Sequence, residues 1–151
     1  MTSFMWSVIL CTTMQTFLPY ADFVESARCL DYRRLGKQRV EAMQLHNILT
    51  NRTATKGWRS HPALKMWEGY APALAHYMNV CIDEWVRRGY NNTMEKRDDS
   101  NLIMPPWLND YRIWYSHRAN LIRKDPHYYS QFNWGIDSQN AVTIEYYWPV
   151  Q

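Results

Sequence analysis

Four cationic side chains lie close together in the sequence, Arg33, Arg34, Lys37 and Arg39, and the carboxylate of Glu41 follows them. Guanidinium and ammonium groups bind phosphate through charge-assisted hydrogen bonds. A lone carboxylate among such cations can stabilise a positively charged centre, such as an oxocarbenium-like sugar, or transfer a proton. One interpretation of the cluster is therefore phosphate recognition combined with carboxylate chemistry.

Helical spacing would place Arg34, Gln38 and Glu41 on one face, and Lys37 lies four residues before Glu41. The plainer interpretation is a solvated helix face with a surface ion pair, which would contribute only about 0.3–0.5 kcal/mol. The cluster alone does not separate these two interpretations.

Further basic residues recur in segments 52–59 and 118–124, and aromatic and histidine side chains lie among them. If the fold gathers these segments, they form a groove that contacts several phosphates. The interleaved rings suit stacking on an unpaired or extruded base. The residues in question are Arg52, Lys56, Arg59, Arg118, Arg123 and Lys124, with Trp58, His61, Trp107, His117, His127 and Tyr128 among them.

The elements that would position these residues are mainly helices. An extended arm over 1–20 precedes a helix capped by Asp22, and apolar spacing predicts a second helix over about 33–49. A short helix is expected at His61, a longer one over about 67–88 with a kink or new start near Ala71, and another from Trp107 to a stop at 125–126. The aromatic C-terminal segment, including TIEYYW, is predicted to be a short strand or an arm. These patterns predict an all-α fold, a compact bundle of three to four helices with extended aromatic N- and C-terminal arms.

Composition favours one globular domain. The chain has 151 residues, is 46% hydrophobic, and carries a formal net charge of +3. Three widely spaced cysteines and five histidines lack metal-ligand spacing, so no metal and no cofactor are predicted, and a reducing compartment is expected. No segment predicts a membrane span or a signal peptide, and we expect a cytoplasmic monomer in a bacterium or a phage-infected host.

Five motifs carry a family resemblance. They are DYRRLGK at 31–37, SHPALKMW at 60–67, IDEWVRRGYN at 82–91, PPWL at 105–108 and SHRANLIRKDPHYY at 116–129. In their order and spacing the chain resembles the phage pyrimidine-dimer DNA glycosylase/AP lyase family, the pyrimidine-excision type of endonuclease V, over nearly all of 14–134. The resemblance implies one helical domain over 14–151, with 1–13 as an extension.

The resemblance also implies a mechanism. Characterised members attack the sugar C1′ with the N-terminal α-amine, form an imine, release the base and then eliminate the 3′ phosphate, helped by a glutamate and by arginines that hold the kinked backbone. Here Arg34 stands at the glutamate position, so Glu41 and Asp31 are the candidate replacements. The nucleophile is the amine of Thr2 or of Met14, or water in a glycosylase without lyase activity.

The resulting hypothesis is a DNA glycosylase, with or without AP lyase activity, acting on a flipped or damaged pyrimidine in duplex DNA. The alternatives are a DNA-binding protein of the same fold without catalysis and an enzyme acting on a modified pyrimidine nucleotide. The predicted catalytic residues are Glu41, Arg34, Asp31 and His61. The predicted DNA-binding residues are Arg33, Lys37, Arg39, Trp58, Arg59, His117, Arg118, Arg123 and Lys124.

Overall fold

The computed structural model describes residues 15–53 and 60–149, and this part of the chain contains seven α-helices and no strand. The all-α prediction is confirmed. Three of these helices have 14 residues or more, and the other four have seven or fewer. The helices are α1 (Phe23–Cys29), α2 (Tyr32–Leu49), α3 (Pro62–Lys65), α4 (Ala71–Arg87), α5 (Tyr111–Lys124), α6 (Pro126–Tyr129) and α7 (Ser138–Thr143), with 3₁₀ turns at Pro106–Asn109 and Ser130–Phe132.

Aspartates define several helix starts. Asp22 accepts a hydrogen bond from the backbone N–H of Glu25, as the sequence predicts, and Asp31 and Asp110 cap α2 and α5 in the same way. Such a cap satisfies one of the otherwise unpaired N–H groups at the helix start. The predicted helix start at Trp107 is wrong, because Trp107 lies in a 3₁₀ turn and α5 begins at Tyr111.

Pro72 lies in the first turn of α4, where its missing N–H costs no hydrogen bond. The predicted new start near Ala71 is therefore confirmed. Gly89 follows α4 with φ +91°, a left-handed conformation that glycine adopts readily, and the predicted stop there is also confirmed.

The core lies mainly between α2 and α4. Leu35, Ala42 and Leu45 of α2 are fully buried, as are Leu74 and Met78 of α4. Gly36 permits this approach, because a Cβ atom at this position would lie 2.9 Å from the Trp85 ring. The packing explains a glycine whose intrinsic helix propensity is unfavourable by about 1 kcal/mol relative to alanine.

Residues 15–18 have no regular secondary structure and are buried, and hydrogen bonds hold them on several sides. The Phe17 N–H donates to Gln38 of α2 (2.8 Å), the Leu18 N–H donates to His117 of α5 (2.8 Å), and Trp67 donates to Thr16 (3.1 Å). The rest of the predicted N-terminal arm lies outside the described residues. Polar side chains of α2 and α5 thus accept hydrogen bonds from backbone N–H groups that have no partner in a helix or strand.

The C-terminal segment after α7 is an arm without regular secondary structure, so the strand alternative for TIEYYW is wrong. It packs on α5, where the Tyr146 ring stacks on His117 (4.5 Å between centroids) and the Tyr147 N–H donates to Ser116. The sequence did not predict α7, which is short and begins at an Asp137 cap. No helix in the described ranges is long and apolar enough to cross a membrane.

Candidate functional site

A cleft of about 680 Å³ lies where the first half of α2 faces the end of α5 and the start of α6. This volume is within the usual range for small-molecule and cofactor sites, about 300–1,000 Å³. The side chains that line it are mostly charged or aromatic. They are Phe17, Asp31, Tyr32, Arg33, Arg34, Lys37, Gln38, Glu41, Lys124, Asp125 and Tyr128.

Glu41 is a buried carboxylate in this cleft, with 5% of its surface exposed. Its Oε2 accepts hydrogen bonds from the backbone N–H of Gln15 (3.2 Å) and from Gln38 Nε2 (3.1 Å), and its Oε1 lies 3.4 Å from Lys37 Nζ. Burial raises the pKa of Glu41, and the Gln15 N–H and the charges of Lys37 and Lys124 offset this only in part. Glu41 is thus both oriented and poised to accept a proton more readily than an exposed glutamate.

Gln38 connects Glu41 to the N-terminal segment. Its Oε1 accepts from the Phe17 N–H (2.8 Å) and from the Tyr77 hydroxyl (2.5 Å), while its Nε2 donates to the Gln15 carbonyl (2.8 Å) as well as to Glu41. Both ends of this amide are therefore satisfied, which fixes its orientation. The same network holds residues 15–17 beside the carboxylate.

Asp31 orients Arg34 at the other end of the cleft. It caps α2, accepts a hydrogen bond from the Tyr129 hydroxyl (2.5 Å), and lies 3.1 Å from Arg34 Nη1. Burial alone would raise the pKa of Asp31, but the hydrogen bonds from Tyr129 and Arg34 outweigh it and the pKa is lowered. Asp31 is thus a charged anchor for the Arg34 guanidinium.

Lys124, the last residue of α5, brings a cation from a distant part of the sequence to the cleft. The residue remains accessible to solvent. Desolvation lowers the pKa of its ammonium, the positive charges of Arg34 and Lys37 lower it further, and Glu41 opposes the shift. Lys124 and Glu41 therefore influence each other's charge across one cleft.

Among the residues that the structure describes, four cations and three carboxylates line the cleft. Asp31 and Glu41 each engage a cation in an ion pair, with Arg34 and Lys37 respectively. Cations held at a concave surface are a suitable environment for phosphate oxygens. A cleft of this kind can hold a phosphate-bearing group next to a carboxylate, as the sequence analysis predicts for Arg33, Arg34, Lys37, Glu41 and Lys124.

Two of the predicted site residues, His61 and Arg39, do not line the cleft. The His61 side chain caps α3 by accepting from the Ala63 N–H (3.0 Å), and its ring lies edge-on to Trp148. Arg39 donates to Asn92 (2.7 Å) and its guanidinium lies 4.2 Å from the centre of the Trp85 ring. The cleft gives no support to their predicted catalytic and DNA-binding roles.

Three predicted DNA-binding residues of α5 make hydrogen bonds within the protein. His117 is fully buried, and burial lowers its pKa to about 3. Since its Nδ1 accepts from the Leu18 N–H, the proton of the neutral ring is assigned to Nε2. Arg118 donates to the Pro19 carbonyl (2.7 Å), and Arg123 donates to the carbonyls of Ala141 and Ile144.

Trp58 and Arg59, also predicted to bind DNA, lie outside the described residues. The predicted site set omitted Gln38, Tyr32 and Tyr128, which line the cleft, and Gln15, which donates to Glu41. Helical spacing places Gln38 on the face of Arg34 and Glu41, so the signal for Gln38 was present. Gln15 acts through its backbone N–H, which no side-chain pattern can indicate.

The domain is helical, and its cleft places cations around a buried carboxylate. Such a cleft is suited to a phosphate-bearing ligand. The family model of pyrimidine dimer DNA glycosylases matches residues 14–98, more than half of the 151 residues. The chain therefore belongs to the pyrimidine dimer DNA glycosylase family. No curated protein and no solved structure matches it. In the described ranges no group of three or more histidine, cysteine, aspartate or glutamate side chains could hold a metal ion.

Proposed function

We propose that the protein is a DNA N-glycosylase that acts on a damaged pyrimidine nucleotide in duplex DNA, with Glu41 as its catalytic carboxylate. The observation that carries the proposal is the placement of a buried, hydrogen-bonded Glu41 in a cleft lined by Arg33, Arg34, Lys37 and Lys124. Family membership supplies the reaction class, and the cleft supplies residues that suit it.

In this mechanism the cations hold the DNA backbone while the damaged nucleotide turns out of the stack. Arg34 is oriented by Asp31, so its guanidinium is organised before DNA binds. Exposed Tyr32 at the cleft can stack on an unpaired base. Extrusion of a base costs a few kcal/mol, and least for a damaged or mismatched one, which favours a lesion over normal DNA.

Glu41 then acts at C1′ of the extruded nucleotide. As the glycosidic bond breaks, positive charge develops on the sugar, and a carboxylate in a partly desolvated site stabilises it more strongly than one in water. Because burial raises its pKa, Glu41 can also take a proton from the attacking nucleophile. Both roles require Glu41 to be ionised when the substrate binds.

The second candidate function is a DNA-binding protein that does not turn over. The specific observation in its favour is Arg34, which stands where the family resemblance predicts a glutamate and which is paired with Asp31. This candidate predicts that the affinity for DNA falls steeply as the salt concentration rises, and that no base is released.

The Glu41→Gln substitution discriminates between the two candidates. We expect base release from a duplex with one cyclobutane pyrimidine dimer to fall by about 10²- to 10⁴-fold, the usual contribution of a positioned acid or base. Binding should hold or tighten, because a negative charge is removed from a site that receives phosphates. The measurements are single-turnover base release and equilibrium binding to the same duplex.

The matched control is Glu68→Gln, which removes an exposed carboxylate outside the cleft and should change neither quantity. Full base release by the Glu41→Gln variant would contradict the assigned role. Tight, salt-dependent binding by the unmodified protein without base release from dimer-containing, abasic or mismatched duplexes would favour the second candidate.

A further inference from the structure

Two exposed tyrosines, Tyr32 and Tyr90, contact each other beside the cleft and are called the tyrosine pair below. Tyr32 is the first residue of α2, lines the cleft and is 50% exposed. Tyr90 follows the end of α4 and is 40% exposed. The ring centroids are 6.0 Å apart and the ring planes differ by 31°. The tyrosine pair therefore forms an aromatic surface that is continuous with the cleft through Tyr32.

Trp85 of α4 supports the ring of Tyr90. The centroids of these two rings are 4.4 Å apart, and the Trp85 Nε1–H donates to the Asn91 carbonyl (2.7 Å). On the same indole, the Arg39 guanidinium carbon lies 4.2 Å from the ring centre. Tyr90 thus packs on a side chain that is itself held by polar and cation–π contacts. A ring that is ordered before a ligand arrives lowers the entropic cost of binding.

Arg33 adds a positive charge next to the tyrosine pair. Its Nε donates to the Tyr32 hydroxyl (3.3 Å), and its guanidinium carbon lies 5.8 Å from the centre of the Tyr32 ring. Arg33 is exposed and also lines the cleft. A ring beside a guanidinium matches the two parts of a nucleotide, because the base stacks on the ring and the phosphate pairs with the cation. This combination favours a nucleic-acid strand over an apolar protein partner.

From this arrangement we infer that the tyrosine pair is a second nucleotide-binding site, on which one unpaired base stacks next to the nucleotide held in the cleft. The inference rests on the proposed function, which places DNA in the cleft, and adds a substrate preference to it: a damaged nucleotide flanked by an unpaired one. A separation of 6.0 Å is an ordinary distance for a direct aromatic contact, so the base stacks on the outside of the pair. Since every base has an aromatic face, the site should accept any base.

Two duplexes that each carry one cyclobutane pyrimidine dimer test the inference. In one the nucleotides flanking the dimer are paired, and in the other mismatches leave them unpaired. Single-turnover base release at a series of protein concentrations gives the affinity from the concentration at half-maximal rate, and the chemical step from the maximal rate. In Tyr90→Leu the affinity for the duplex with unpaired flanks should fall at least about 5-fold, the lower end of the range for one base stacked on an aromatic side chain. Its affinity for the paired duplex and both maximal rates should stay unchanged.

Two variants serve as controls. Tyr90→Phe keeps the ring and should bind both duplexes as the unmodified protein does. Tyr111→Leu removes a tyrosine of α5 that is 64% exposed and lies outside the cleft, and it should also leave both affinities unchanged. A second readout uses 2-aminopurine at an unpaired flanking position, because stacking on the tyrosine pair should lower its fluorescence when the protein binds. This decrease should be smaller in Tyr90→Leu.

An unchanged affinity of Tyr90→Leu for the duplex with unpaired flanks would overturn the inference. An equal loss in Tyr111→Leu would do the same, because the effect would then not be specific to the tyrosine pair. In both cases base release from the paired duplex continues and the proposed function stands. If the unmodified protein releases no base from either duplex, the proposed function fails. Equilibrium binding to the same duplexes then gives the affinities, and their dependence on Tyr90 decides the inference separately.

Discussion

Two basic segments that resemble each other in sequence have different surroundings in the structure. In α2, Arg34 and Lys37 line an open cleft, and their ion-pair partners are carboxylates that line it too. In α5, Arg118 and Arg123 donate to backbone carbonyls of the N-terminal and C-terminal segments. Arg34 and Lys37 of α2 thus serve a candidate ligand site, whereas Arg118 and Arg123 of α5 serve chain packing.

The difference follows from what lies against each helix. The backbone carbonyls of Pro19 and Ile144 lie outside helices and need donors, and Arg118 and Arg123 of α5 supply them. Arg118 is further packed against aromatic rings, its guanidinium carbon lying 4.8 Å from the Tyr20 ring centre and 5.6 Å from that of Trp134. The number of cations in a segment therefore does not predict a phosphate-binding surface. Where nearby backbone carbonyls lack hydrogen-bond donors, arginine side chains pair with these carbonyls instead.

Substituting one arginine from each helix should separate these roles. Arg118→Gln should lower the free energy of unfolding by about 2–3 kcal/mol, because a charged hydrogen bond and cation–π contacts are lost, and should change DNA affinity little. Arg34→Gln should weaken DNA binding and reduce the slope of log affinity against log salt by about 1. Chemical denaturation and salt-dependent binding are the measurements.

Arg112→Gln provides the control for losing an arginine–aspartate pair, since Arg112 lies 2.6 Å from Asp110 outside the cleft. It should leave the salt slope unchanged. The comparison between the helices would be wrong if Arg118→Gln reduced the salt slope as much as Arg34→Gln while the unfolding free energy stayed constant.

The sequence predicted the helical class, the cap at Asp22 and several of the residues that line the cleft, because these features follow from local patterns. The spacing of Arg34, Gln38 and Glu41 identifies one helix face, and the cleft uses that face. It did not predict the fate of His117, Arg118 and Arg123, because their partners are backbone groups about 20 to 100 residues away in sequence. No local pattern shows which helix an extended segment will contact.

Acid should affect stability through two buried histidines, His117 of α5 and His46 of α2. His117 is buried as the neutral ring with its pKa lowered to about 3, and burial lowers the pKa of His46 to about 4. Below the ordinary histidine pKa of about 6.5 the unfolded chain binds more protons than the folded one. The free energy of unfolding should therefore fall as pH decreases from 6.5 to 5, by up to about 1.4 kcal/mol per pH unit for each histidine.

The His117→Gln variant isolates one part of this dependence, because glutamine can still accept a hydrogen bond from the Leu18 N–H but does not titrate. Its denaturation midpoints between pH 6.5 and 5 should vary less with pH than those of the unmodified protein. Glu41, whose pKa is raised, contributes with the opposite sign in both proteins and cancels in the difference. An unchanged pH slope would mean that His117 is not held neutral in the folded state.

Acid should reduce base release by protonating Glu41 of α2. The charge of Lys37 affects the pH at which Glu41 is protonated. The positive charge of Lys37, 3.4 Å from Glu41 Oε1, lowers the pKa of Glu41 against the larger effect of burial. In Lys37→Gln this opposing charge is gone, so Glu41 should protonate at a higher pH and the acid limb of the base-release profile should move upward. Because the Lys37 side chain is exposed, the ion pair is expected to contribute only about 0–1 kcal/mol, which corresponds to less than about one pH unit. The profile of Lys65→Arg, which changes an exposed lysine of α3 outside the cleft, should coincide with that of the unmodified protein. If the acid limb of Lys37→Gln stays in place while DNA affinity falls, Lys37 contacts phosphate without tuning Glu41, and the acid limb belongs to another group.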